Sequence, residues 1–168
     1  MFINDLYLSI LLAGTNIFVF LITPSLKETN PIHIAQLCLA AICEELFFRG
    51  LLLSLLINKN HLSNRQACIL VSILFGALHL INVYSYATPT YAIVQVYFAF
   101  SAGLMLAKLY LQYGLSSCIL LHIVINLTSV LCESNSYSNQ LSLIPSTTII
   151  YLTISTLTTC YCLQKLKN

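Results

Sequence analysis

Long apolar segments separated by short polar breaks dominate this sequence of 168 residues. Hydrophobic residues make up 58% of the chain and charged residues only 7%, whereas soluble domains carry roughly 25% charged residues. Seven basic and five acidic side chains cannot cover the surface of a water-soluble protein of this length. Intrinsic disorder is also excluded, because disordered chains are poor in apolar residues and rich in charge. We therefore expect an integral membrane protein.

Six segments have the length and composition of membrane-spanning helices, which need about 20 mostly apolar residues. We predict an all-α, polytopic membrane helix bundle that forms one domain over residues 1–168, with no internal repeat. The six predicted spans are Phe2–Ile22, Ile32–Ile57, Gln66–Val83, Tyr91–Leu109, Leu115–Cys132 and Ser146–Leu163. The longest predicted loop is Glu133–Pro145. The first span lacks the basic start and small-residue cleavage site of a signal peptide, so we expect it to be retained.

The basic residues lie mostly on one side of the predicted bundle. With six spans, Lys27 is on one side, and the side that holds both termini carries Lys59, Arg65, Lys108, Lys165 and Lys167. Because positive residues concentrate in cytoplasmic loops, we predict cytoplasmic termini and, in a bacterium, a place in the cell (inner) membrane. A net charge of +2 without a basic cluster also argues against a nucleic-acid partner.

Three charged residues lie inside the second predicted span, at Glu44, Glu45 and Arg49. Each costs about 2.5–3.5 kcal/mol near the centre of a membrane helix, and the apolar neighbours offset only part of that sum. Such groups are expected to face the interior of a bundle or a water-filled cavity, where they are candidates for function. We therefore expect the second span to contribute residues to a functional site.

Helical geometry separates the two glutamates. Glu45 and Arg49 are four residues apart, with the acid first, which is the favourable order for an ion pair on one helix face. Glu44 points about 100° away and has no such partner on its own helix. An unpaired carboxylate in this setting is suited to act as a general base. The alternative to a catalytic role is a structural Glu–Arg ion pair that holds helices together and performs no chemistry.

Two later spans contribute further polar side chains. The third contains His79, and the fifth contains His122 and Asn126, which share a helix face at a spacing of four residues. A single histidine in a membrane helix is more often a hydrogen-bonding residue than a catalytic one. Two histidines, an asparagine and two glutamates on three helices, however, can converge into one site that holds a base and hydrogen-bond donors.

These residues form three motifs, each on its own apolar helix. They are Glu-Glu-x-x-x-Arg-Gly at 44–50, Phe-x-x-x-His at 75–79 and His-x-x-x-Asn at 122–126. In this order they resemble the motifs of the CPBP membrane proteases, also called the ABI family. That family includes the type II CAAX prenyl endopeptidases and proteins of bacteriocin processing or self-immunity. The resemblance covers about residues 37–131 and leaves the first and sixth predicted spans outside.

The resemblance implies an intramembrane endopeptidase that acts on a membrane-anchored or lipidated peptide or protein. In such an enzyme, Glu44 would activate a water molecule with the help of His79. His122 and Asn126 would stabilise the oxyanion that forms on the attacked carbonyl group. The substrate itself is not indicated, because no segment has the character of a separate recognition domain.

The resemblance also implies that Glu45 and Arg49 hold the helix of the second span in register with its neighbours. Glu45 would be a second candidate for a catalytic residue. We expect no cofactor, and zinc is the alternative. Two histidines and a glutamate match the ligand count of some catalytic zinc sites. The sequence has no His-Glu-x-x-His motif, however, and His122 with Asn126 is a poor pair of zinc ligands.

Two other classes of protein fit the same buried polar residues. One is a catalytically silent immunity protein or scaffold that uses the cluster for binding. The other is a proton-coupled transporter, since intramembrane glutamates and histidines also form proton relays. The short chain and the lack of internal repeats argue against the transporter.

Overall fold

The computed structural model describes residues 30–59, 62–84, 89–136 and 144–166. Within these residues every regular element is helical and no strand is present. The predicted all-α class is therefore confirmed for this part of the chain. The first predicted span, Phe2–Ile22, lies outside the described residues.

Five helical stretches occupy the positions of the second to sixth predicted spans. In chain order these are α1 (Pro31–Glu45), which continues as a π-helix (Leu46–Leu53) and then as α2 (Ser54–Lys59); α3 (Asn64–Leu78), which continues as a 3-10 helix (His79–Tyr84); α4 (Pro89–Tyr113); α5 (Leu115–Ser136); and α6 (Ile144–Lys165).

The polar breaks in the sequence start the first two stretches. The side chain of Asn30 accepts a hydrogen bond from the backbone N–H of Ile32 at 2.9 Å, and Pro31 occupies the first helical position. Proline is favoured there because its missing N–H would have no partner inside the helix. Ser63 and Gln66 form a capping box at the start of α3. Both features satisfy backbone donors that the first turn of a helix leaves unpaired.

The tight turn between α4 and α5 depends on a glycine. Gly114 has φ +81°, a left-handed conformation that side chains disfavour. Its backbone N–H donates to the carbonyl of Tyr110 at 3.0 Å, and its own carbonyl accepts from the hydroxyl of Ser117 at 2.7 Å. One residue therefore ends one long helix and allows the next to begin antiparallel to it.

Several predicted boundaries differ from the structure. The third span was expected to be one helix to Val83, but the backbone tightens into a 3-10 helix at His79. Helix α5 continues through Ser136 into the predicted loop. Lys108, one of the basic residues that orient the predicted bundle, lies inside α4 with 2% of its surface exposed. Its ammonium group donates to Gln112 Oε1 at 3.1 Å, so the helix itself supplies a partner.

Two described helices are long and apolar enough to cross a membrane. They are Asn64–Ile81, with mean hydropathy 1.4, and Ala92–Tyr113, with mean hydropathy 1.6. A shorter apolar helix covers Leu115–Ser129. The six-span topology and the cytoplasmic position of both termini stay predictions.

Helix α4 is the centre of the packing. It contacts α3, α5 and α6, and α1 packs against α5. Every residue from 101 to 109 is buried. The outward faces of the helices carry exposed large apolar side chains, among them Ile93, Leu120 and Leu157. Helices that are apolar on all faces are typical of membrane spans.

Helices α3 and α4 approach closely because glycines lie between them. A Cβ atom on Gly76 would lie 3.1 Å from both Phe100 Cβ and the carbonyl oxygen of Val96. A Cβ atom on Gly103 would lie 3.2 Å from Ser72 Cβ. Small residues of this kind allow membrane helices to pack at short range.

We predict that Gly76→Ala lowers the free energy of unfolding by about 1–3 kcal/mol relative to Gly50→Ala, because the backbone of α4 cannot yield to the new methyl group. Gly50 is the matched control, since a Cβ there meets only ordinary contacts beginning at 3.6 Å. Titration of both purified variants with a denaturing detergent measures the difference. Equal stabilities would contradict the close packing of α3 on α4.

Candidate active site

A fully buried ion pair joins the π-helix to α1. Arg49 Nη1 donates to Glu45 Oε1 at 2.7 Å, and neither side chain is exposed. Arg49 Nη2 donates to the carbonyl of Gly103 on α4 at 3.1 Å. The guanidinium lies 4.6 Å from the centre of the Phe75 ring on α3, a favourable cation–π distance. The ion pair predicted from the spacing is therefore present and connects three helical stretches.

Arg49 lies in a π-helical segment that the sequence pattern did not predict. In a π-helix each backbone carbonyl accepts from the N–H five residues on instead of four. The Ser54 hydroxyl donates to the carbonyl of Arg49 at 3.3 Å. The Ser54 and Tyr110 hydroxyls are hydrogen-bonded at 2.7 Å, which ties this segment to α4. π-Helical turns occur often at functional sites.

His122 on α5 lies between the two glutamates. Its Nδ1 is 2.8 Å from Glu45 Oε1, and its Nε2 is 3.7 Å from Glu44 Oε2. A carboxylate can only accept a hydrogen bond, so Nδ1 carries the proton when Glu45 is ionised. Glu45 Oε1 thereby accepts from Arg49 and from His122 together. This orients the imidazole with Nε2 directed toward Glu44.

The two glutamates differ in access. The side chain of Glu45 is fully buried, whereas that of Glu44 is 30% exposed. Glu44 can therefore be reached by water and by another molecule, while Glu45 is enclosed by its partners. The sequence placed the two carboxylates on different faces of the helix, and the structure agrees.

His79 begins the 3-10 helix that follows α3, and the change of helix type orients its ring. The backbone N–H of His79 donates to the carbonyl of Gly76, three residues earlier in the chain. The ring Nδ1 then donates to the carbonyl of Phe75 at 2.9 Å. In a neutral ring this leaves Nε2 as an acceptor. The rings of His79 and His122 lie 5.0 Å and 5.6 Å from that of Phe75, measured between centroids.

Asn126 lies one turn beyond His122 on α5. Its amide Nδ2 donates to the carbonyl of Leu37 on α1 at 3.3 Å. This hydrogen bond links α5 to α1, which carries the two glutamates at its other end. Asn126 therefore faces the same interior region as His122.

A cavity of about 110 Å³ joins three of the predicted site residues. Its polar lining includes His79, His122 and Asn126. The glutamates do not line this cavity and are connected to it through their contacts with His122. The structure thus brings all six predicted residues, Glu44, Glu45, Arg49, His79, His122 and Asn126, into one continuous region.

Several groups of this region were not predicted as site residues. Phe75 is the first residue of the second motif and was given no role, although its ring contacts Arg49 and both histidines. The carbonyls of Gly103 and Leu37 are backbone acceptors, which no residue pattern identifies. Tyr151 lines the cavity from α6, and nothing in its surrounding sequence marks it.

The His and Glu side chains of the site are also of the types that bind zinc. Catalytic zinc sites use three protein ligands. Within the described part of the chain, no group of three or more His, Cys, Asp or Glu side chains could hold a metal ion. Glu44 and His122 face each other as a pair, and the second nitrogen of His122 is engaged by Glu45. The expectation of a site without a metal ion stays a prediction.

Comparison with known proteins identifies the class. A family model described as "Type II CAAX prenyl endopeptidase Rce1-like" matches residues 27–128, which is more than half of the chain and contains all six residues of the site. The chain therefore belongs to the Rce1-like family of type II CAAX prenyl endopeptidases, a membrane-embedded family of peptidases. The resemblance found from the three motifs is confirmed. Comparisons with curated proteins and with solved structures found no match.

We predict that Arg49→Ala costs about 3–5 kcal/mol of stability, because it leaves the Glu45 carboxylate buried without its counter-charge. The matched control is Arg65→Ala, since Arg65 is exposed and its loss should change stability by no more than about 0.5 kcal/mol. Unfolding by detergent titration measures both variants.

The double variant Glu45→Gln/Arg49→Met removes both charges and should recover part of the stability lost in Arg49→Ala. If Arg49→Ala is no less stable than Arg65→Ala, the buried ion pair does not hold these helices together.

Proposed function

We propose that this chain is an intramembrane endopeptidase in which Glu44 activates the water that hydrolyses a peptide bond of a membrane-associated or lipidated substrate. The observation that carries this proposal is the arrangement of two glutamates around His122. One glutamate is fully buried and paired, and the other is partly exposed and faces the free edge of the imidazole. Family membership supplies the class of reaction.

In the proposed reaction the Glu44 carboxylate takes a proton from a water molecule, and the water oxygen attacks the carbonyl carbon of the scissile bond. The carbonyl oxygen becomes an oxyanion. When the tetrahedral intermediate collapses, the carbon–nitrogen bond breaks, and Glu44 returns its proton to the leaving amine. The same carboxylate thus acts as base and then as acid.

His122 and Asn126 are the proposed donors to the oxyanion. For His122 to donate from Nε2, both ring nitrogens must carry protons, since Nδ1 already donates to Glu45. Glu45 is therefore proposed as the group that supports an imidazolium during the reaction. Donors aimed at a developing oxyanion are each worth about 2.7–4 kcal/mol in other enzymes.

His79 is proposed to assist in positioning the water. Its Nδ1 is held by the carbonyl of Phe75, so that Nε2 of the neutral ring is an acceptor. His79 lines the same cavity as His122 and Asn126, which supports a role next to the substrate. No step in this mechanism passes through a metal ion.

The proposed substrate enters through the apolar exterior. Glu44 is followed by exposed apolar side chains at Leu46 and Phe47, with half of their surface exposed. A peptide that is lipidated, or that carries its own apolar segment, can reach Glu44 along such a surface. This proposal includes prenylated peptides, the substrates named in the description of the family.

We predict that Glu44→Gln, His79→Ala and His122→Ala each reduce hydrolysis to background, because each removes a group that touches water or substrate. The assay uses full-chain protein in detergent micelles and a pool of lipidated peptides, with products identified by mass spectrometry. His33→Ala is the control, since His33 is exposed and lies on the first turn of α1. Full turnover by all three site variants would refute the proposed mechanism.

The same assay separates the competing functions. A wild-type protein that binds the pool but cleaves nothing would indicate the silent immunity or scaffold function instead. Hydrolysis should continue in a tight chelator of divalent metals. Loss of activity that zinc alone restores would contradict the metal-independent mechanism.

A further inference from the structure

Two contacts with one face of α4 hold the π-helix and the residue that follows it. Arg49 Nη2 donates to the carbonyl of Gly103 at 3.1 Å, and the hydroxyl of Ser54 lies 2.7 Å from the hydroxyl of Tyr110. Gly103 and Tyr110 are seven residues apart on α4. That separation is about 10.5 Å along the helix axis and close to two full turns, so both groups lie on the same side of α4.

The π-helix brings Arg49 and Ser54 to α4 together. In an α-helix, two residues that are five positions apart point about 140° away from each other, so they would not face the same neighbour. In a π-helix the backbone hydrogen bond joins residues five positions apart, which places them one turn apart on nearly the same face. The segment Leu46–Leu53 is π-helical. The two contacts with α4 therefore depend on this helix type.

The hydroxyl of Ser54 acts where the π-helix ends. The backbone N–H of Ser54 donates to the carbonyl of Leu51, and its hydroxyl donates to the carbonyl of Arg49 at 3.3 Å. A serine hydroxyl has one proton, so the proton in the hydrogen bond between Ser54 and Tyr110 comes from Tyr110. A chain of two hydrogen bonds therefore runs from α4 through Ser54 to the backbone of Arg49.

The residue that this chain reaches is the one that organises the site. The side chain of Arg49 donates to Glu45 Oε1, which also accepts from His122. If the π turn tightened by one residue into an α-helical turn, the residues on its two sides would rotate by about 100° relative to each other. Arg49 and Ser54 could not then both stay against α4. The helix type of this segment thus sets the direction of the Arg49 side chain.

We propose that Tyr110 and Ser54 are positioning residues, which fix the π-helical register and so hold Arg49, and through it Glu45 and His122, in the arrangement that hydrolysis needs. This inference rests on the proposed endopeptidase function. Neither Tyr110 nor Ser54 lines the cavity beside the histidines, so both act through Arg49 and not by touching the substrate.

The first test is kinetic and uses full-chain protein in micelles with one lipidated peptide that the wild-type protein cleaves. Tyr110→Phe and Ser54→Ala should each lower kcat by about tenfold to a hundredfold while KM changes by less than about twofold, because a small misplacement of reacting groups costs rates of this order. Ser54→Thr keeps the hydroxyl and should retain most of the wild-type kcat.

Tyr97→Phe is the matched control. It removes the same hydroxyl from the same helix and breaks a comparable hydrogen bond, to Thr156 at 3.2 Å, which does not lead to Arg49. It should leave kcat unchanged. A wild-type kcat in Tyr110→Phe overturns the proposal. An equal loss of kcat in Tyr97→Phe also overturns it, since the effect would then belong to the general packing of α4.

A second measurement reads the register without hydrolysis. The chain has two arginines, Arg49 and Arg65, so arginine labelled with carbon-13 at the carbonyl gives two NMR signals, and Arg65→Lys identifies that of Arg49. We expect Tyr110→Phe to shift the Arg49 signal together with the nitrogen signals of His122, and Tyr97→Phe to shift neither. Unchanged signals in Tyr110→Phe overturn the proposal. Shifted signals in a protein whose wild type cleaves nothing would support the fixed register and refute the endopeptidase function.

Discussion

The buried ion pair between Glu45 and Arg49 is the interaction on which the rest of the site depends. Two ions removed from water carry a large desolvation cost, which hydrogen bonds to their other polar atoms help to offset. Arg49 donates to the carbonyl of Gly103 and lies over the face of Phe75, and Glu45 Oε1 also accepts from His122. Among the described residues, Glu45 Oε2 and Arg49 Nε find no hydrogen-bond partner. The partners come from α3, α4 and α5, so the contacts of one pair of charges reach three neighbouring helices.

This arrangement gives the two adjacent glutamates different surroundings. Glu45 is enclosed and orients the imidazole of His122, whereas Glu44 keeps access to the outside and faces the other ring nitrogen. A buried carboxylate also holds a histidine in one tautomer and one orientation in the Ser-His-Asp triad. Here the pairing also explains why charged residues are tolerated in a helix as apolar as this one.

The sequence predicted the parts of this structure that depend on side-chain spacing. The Glu45–Arg49 pair follows from their separation of four residues, and the polar breaks at Asn30 and Ser63 mark two helix starts. The π-helix over Leu46–Leu53 was not predicted, because the spacing argument assumes the α-helical period of 3.6 residues per turn throughout. Backbone acceptors such as the carbonyl of Gly103 leave no trace in a residue pattern.

The burial of Lys108 illustrates the same limit. It lies near the end of the fourth predicted span, and no residue pattern shows that α4 runs on to Tyr113 or that α6 packs beside the side chain, with the Tyr161 ring 5.3 Å from the ammonium nitrogen.

The most direct test of the central claim is nitrogen NMR of isotope-labelled histidine, with the His122 signals assigned by their loss in His122→Ala. A proton on Nδ1 in the wild-type protein, and a mixture of tautomers in Glu45→Ala, is the predicted result. A lone pair on Nδ1 of the wild-type protein would contradict the proposed role of Glu45.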